Sequence, residues 1–125
     1  MLEYNRAVTL ANLDRVAEAR RAFEAIPKAL EGDYLRQLRA HAELYIAFAE
    51  GRHDFDLEAL RERAEAAMPV ASARPLLGML AWAFGQIGRR EESAHLLALA
   101  RARAGETLVA RLYPKLGDWM AAQPA

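Results

Sequence analysis

Three histidines and a few carboxylates are the side chains of this sequence best suited to chemistry. His53, Asp54 and Asp56 lie in one short stretch, and an imidazole with two carboxylates can hold a divalent ion weakly. No second histidine lies nearby, and Asp56 reads better as the N-cap of the helix that follows it. His41 sits in a helical stretch beside Ala42 and Tyr45, and His95 sits among leucines. Either could act as a general base. Neither has a serine or carboxylate placed to suggest activation, so both read as packed or partly exposed histidines. Glu91 and Glu92 are adjacent, but neighbouring residues on a helix point in different directions. Carboxylates in a first turn also favour the helix dipole.

The chain has no cysteine, which removes disulfides, thiolate zinc sites and thiol nucleophiles. It carries no glycine-rich phosphate loop. The expectation is therefore a protein without cofactor, bound metal or catalytic residues, and not an enzyme. Its formal net charge is zero, so bulk charge draws it neither to nucleic acid nor to an anionic membrane. Glu3, Asn5 and Arg6 interrupt the first turns, so no signal peptide is expected there. The apolar run from Pro75 to Ile87 is too short to span a bilayer. A cytoplasmic protein without membrane insertion is expected. A helical start at Met1 is also what a piece of a longer chain would show.

The elements that must position these residues are helices throughout, because no stretch alternates as a strand does. Seven segments are expected. The first covers about Leu2 to Asn12, and the second is capped by Asp14 and stopped by Pro27. The third runs from Tyr34 to Glu50 and ends at Gly51. The fourth follows Asp56 and stops at Pro69; the fifth has Pro75 in its first turn and ends before Gly88. The sixth is expected to end at Gly105, and the last runs from Thr107 to Ala122, interrupted by Pro114 and Gly117. Short links make neighbouring helices antiparallel.

The first and third hairpins resemble tetratricopeptide (TPR) repeats. Ala7, Ala19 and Phe23 match the sparse repeat pattern with Leu10 at its tyrosine position, as do Leu77, Leu80, Ala81, Phe84 and Gly88, while Ser93 and Leu97 replace its alanine and phenylalanine on the second helix. The middle hairpin agrees only in length and periodicity. The resemblance implies an all-α, right-handed α-solenoid of about three hairpins (2–27, 33–69 and 73–104) with a capping helix at 106–122, all one domain. It also implies a concave groove lined by first helices, with arginines such as Arg20, Arg61 and Arg101 on the solvated convex side.

A peptide or partner-helix adaptor is the function this family resemblance implies. Expected groove residues are Tyr4 and Val8, then Arg36, Arg39 and Glu43, then Met79, Trp82 and Gln86. A Trp and a Met presented there would be binding anchors. Alternatively, the last segment folds over that face. The lysine and asparagine clamp of chaperone-tail binders is absent, since Tyr4, Val8, Gly78 and Trp82 hold the equivalent positions. No aromatics interleave the arginines as an RNA surface needs. The other reading is a self-assembly module, a homo-oligomer formed through apolar helix faces.

Overall fold

The computed structural model describes residues 2–27, 33–52, 54–69 and 74–124, without the side chains of residues 2, 33–38, 74 and 103–112. The described residues form seven helices and no strand: α1 (Leu2–Asn12), α2 (Val16–Glu24), α3 (Asp33–Glu50), α4 (Leu57–Ala67), α5 (Arg74–Gln86), α6 (Arg90–Leu112) and α7 (Pro114–Ala122). This is an all-α chain. Among the described residues no helix is long and apolar enough to cross a membrane.

The turn after each first helix is built the same way. Asp14, Gly51 and Gly88 take left-handed backbone, with φ of 61°, 70° and 80°. After each of them an N–H reaches five residues back: Arg15 to the Leu10 carbonyl, Arg52 to Ala47 and Arg89 to Phe84, at 2.9, 3.1 and 2.9 Å. These are Schellman-type endings that satisfy the last helical carbonyls. The three left-handed residues follow one another at intervals of 37 residues. The chain therefore repeats its hairpin turn with a constant period, although the middle hairpin lacks the sequence signature.

Two expectations are corrected. Asp14 does not cap α2; the cap position is Arg15, without a side-chain bond. Asp14 closes α1 instead, because a short polar residue tolerates left-handed backbone better than other non-glycine residues. The expected break at Gly105 is also absent, and α6 continues to Leu112. A glycine costs a helix about 1 kcal/mol, which flanking helix formers can absorb, whereas proline costs about 3 kcal/mol. Pro114 makes the break, in the first turn of α7. Asp56 does cap α4, accepting from the Glu58 N–H at 3.1 Å.

α1 packs on α2 and α3; α3 packs on α2 and α5; α5 packs on α4 and α6; and α7 packs chiefly on α6, touching α3 and α5 with its edge. α3 and α4 instead stand on either side of a narrow cleft lined by Leu44, Phe55 and Leu60. Ala7, Leu44 and Ala81, spaced by the same interval, are all buried, as are Phe23, Leu60 and Leu97 on the second helices. Ser93 replaces a small apolar residue at one crossing and donates its hydroxyl to the Ala81 carbonyl at 2.6 Å. That bond lets a polar side chain sit in a tight contact. Phe23 lies between two hairpins, against Tyr4 of α1 and under the Arg39 guanidinium of α3 at 4.8 Å. The hairpins are also linked on their outer side by Arg20 with Glu50 and Arg61 with Glu92.

Candidate functional site

The 37-residue interval identifies which residues of α1, α3 and α5 share one face. Tyr4, His41 and Gly78 are equivalent, and so are Val8, Tyr45 and Trp82. On α3 this differs by a few positions from the expectation of Arg36, Arg39 and Glu43. Arg39 turns toward α2 and lies over Phe23, while Glu43 pairs with Arg63 of α4 at 3.1 Å. The Arg36 side chain lies outside the described residues.

At α3 and α5 this face is covered by the chain itself. Tyr113, which leads into α7, packs edge-on against Tyr45 at 4.9 Å and against His41 at 6.4 Å. One turn further, Leu116 and Met120 lie over Gly78. A Cβ built there would meet the Met120 sulfur at 3.0 Å and Leu116 Cδ2 at 3.5 Å. Glycine is what lets α7 come so close. Lys115 of α7 pairs with Asp14, 101 positions earlier in the chain. At the other end of α7, Arg101 donates to the carbonyls of Met120, Gln123 and Pro124 at 2.7, 3.1 and 2.8 Å. A cation there complements the negative end of the helix dipole.

Trp82, Met79 and Tyr4 were expected to line an open groove. They are buried instead, with 4, 0 and 2% of their surface accessible. Trp82 is enclosed by two rings, Phe48 of α3 at 5.0 Å and Phe55 of the α3–α4 loop at 5.4 Å, both edge-on. Phe48 stacks on Tyr45, so an aromatic chain runs from Phe55 through Trp82, Phe48 and Tyr45 to Tyr113. Each contact falls in the geometry that aromatic pairs prefer. Val8 and Gln86 remain half-buried.

Burial sets the charge state of this face. It pushes the phenols of Tyr45 and Tyr113 up to about 12, so both are neutral near pH 7. The Tyr45 hydroxyl donates to the Asn12 side-chain oxygen. Burial pushes His41 down to about 4, and its Nε2 has no hydrogen-bond partner among the described residues. His41 is thus a neutral histidine inside the α3–Tyr113 contact.

The carboxylates near His53 are occupied. Asp54 pairs with Arg52 at 2.9 Å and Asp56 caps α4; His53 itself lies outside the described residues. Among the described residues no group of three or more metal-binding side chains comes together. His95 lies at the rim of a second feature, an open cleft of about 360 Å³ between α4 and α6 with Phe84 at its floor.

The chain matches no protein-family model, no curated protein and no solved structure.

Proposed function

We propose that this chain is a TPR-like helical-repeat module that binds a partner helix on the face built by α1, α3 and α5, with its own α7 occupying the α3 and α5 part of that face in the free protein. The reading is supported most by α7 itself. An apolar helix lies on positions equivalent to the groove positions of a TPR array, through Tyr113, Leu116 and Met120. A face that accepts this helix has the chemistry to accept another with an aromatic or apolar residue at the same spacing. The constant 37-residue interval between hairpin turns supports the solenoid reading, which the right-handed twist of the family would complete. Binding, and not catalysis, is the activity proposed, in the cytoplasm and with a protein partner.

Self-assembly through apolar faces has less behind it. Among the described residues Leu13 is the one large hydrophobic side chain well exposed, at 61%.

Occupancy by α7 lowers apparent affinity, because a partner binds only the fraction of molecules with the face open. The lack of cysteine allows a specific test. In the double variant D14C/K115C, a short cleavable dithiol-reactive linker would hold α7 in place. Capture of partners from native lysate should fall at least tenfold with the linker intact and recover on cleavage. Equal capture in both states would place the partner surface elsewhere.

A further inference from the structure

We infer that the cleft between α4 and α6 is a second docking surface, and that it receives a basic amphipathic segment of a partner protein. The cleft lies away from α7, so this inference stands apart from the groove reading. Its walls come from second helices of neighbouring hairpins, and both pack on α5. Ala64 and Met68 of α4, Phe84 of α5 and Leu96 of α6 make the apolar lining. At about 360 Å³ it lies near the small end of the range for ligand sites, roughly 300–1,000 Å³. Methionine adapts its shape to an incoming side chain.

The rim decides the occupant. Glu65, Glu91 and Glu92 border the cleft with Arg61, and Arg89 joins the rim through Glu92, so three carboxylates face two guanidinium groups. The formal charge of this rim is therefore negative. Glu92 already shows what such a carboxylate holds: it takes the Arg61 guanidinium across the cleft at 3.2 and 3.3 Å, and Arg89 at 2.7 Å. These partners hold its carboxyl below the usual range. Glu65 and Glu91 have no ion-pair partner among the described residues. Glu91 is accounted for by the first turn of α6, where an acid is favourable. Glu65 has no such reason. It sits in the last turn of α4, which carries no basic residue, so it opposes the helix dipole and faces a rim of like charge. A cation seated in the cleft would offset both. Apolar lining with unpaired acids at the edge fits a segment presenting one or two large apolar side chains flanked by arginine or lysine.

Two fluorescein-labelled synthetic helical peptides test this, identical in length and leucine pattern but flanked by arginine in one and glutamate in the other. Fluorescence anisotropy at low salt, where rim charges are least screened, reads binding. The protein is D14C/K115C with its linker closed, so that α7 stays seated and the groove contributes nothing. The arginine peptide should bind saturably, at least tenfold tighter than the glutamate peptide. Glu65→Arg with Glu91→Arg, both at exposed positions, should reverse that preference. Ala64→Trp, which fills the cleft, should abolish binding while circular dichroism stays helical. Met68→Trp provides the same blockade from a half-buried position should the first variant unfold. Equal affinity for the two peptides, a preference that survives charge reversal, binding unaffected by the filled cleft, or no saturable binding would each overturn the inference.

Discussion

Trp82→Ala should lower the unfolding free energy by about 3–5 kcal/mol, as removal of a buried large aromatic does. The side chain is 4% accessible and meets Phe48 and Phe55 edge-on, so truncation leaves a cavity and breaks two aromatic contacts at once. Phe55 belongs to the α3–α4 loop and Phe48 to α3, so the indole ties the second hairpin to the third. In a chain of this size such a loss corresponds to roughly 10–20 °C in the thermal midpoint. Urea or thermal denaturation followed at 222 nm reads it. A loss below about 1 kcal/mol would mean that the indole is not packed as described. The same variant separates the two roles considered for this residue: an exposed binding anchor would leave the midpoint nearly unchanged.

The reason Trp82 reads as an anchor from sequence is instructive. From Pro75 to Ile87 only Gln86 is polar, so α5 has more apolar surface than one neighbour can cover. Sequence pattern identifies that surplus but not what covers it. The cover comes from a loop phenylalanine, from Phe48 on α3 and, over Gly78, from α7. None of these contacts lies within one helix of the residue it covers, and local periodicity cannot register them. The helices themselves were legible, because Pro27, Asp56, Pro69 and the left-handed glycines at 51 and 88 act locally. Asp14 was not, since aspartate serves both as an N-cap and as a left-handed closing residue. With aspartate ambiguous there, the 37-residue interval between hairpin turns does not show in the sequence, and neither does the face of α3 it selects, that of His41 and Tyr45 in place of Arg36, Arg39 and Glu43. A signal was present: Gly78 at a groove-equivalent position is the kind of residue that marks a close backbone approach.

Acidification should destabilise the fold through His41. Burial holds its folded-state pKa at about 4, below the ordinary value of 6.5. The neutral form is the one the fold accepts. Above pH 6.5 both folded and unfolded states hold it neutral, and its contribution to stability is complete. As pH falls below 6.5 the unfolded chain takes up a proton that the folded chain refuses, so stability declines until pH reaches about 4. At 1.36 kcal/mol for each pH unit, the loss from pH 7 to pH 5 is about 2 kcal/mol, rising to about 3 kcal/mol near pH 4. Glu92, held below the usual carboxylate range by Arg61 and Arg89, loses its contribution only below the ordinary carboxylate value of 4.5, outside the span from pH 7 to pH 5. Denaturation of wild type and His41→Leu at pH 7 and pH 5 should show the slope in the first and not in the second. Leucine also removes a buried nitrogen without a hydrogen-bond partner, so the variant should be no less stable than wild type at pH 5. An identical slope in both proteins would assign the pH dependence to other groups.

α7 lies on the first-helix face at α3 and α5 and reaches the turn of the first hairpin through Lys115. The most direct test of this placement uses the ion pair between Lys115 and Asp14. Lysine occurs at only two positions, 28 and 115, so products at Lys115 are few and assignable. Zero-length carbodiimide coupling of the monomer, followed by mass spectrometry of the digested protein, reads which carboxylates lie within bonding reach of that amine. With α7 so placed, an intramolecular amide between Lys115 and Asp14 is the expected main product at this lysine. Coupling of Lys115 only to its helical neighbour Asp118, or to Asp14 only in cross-linked dimers, would contradict it.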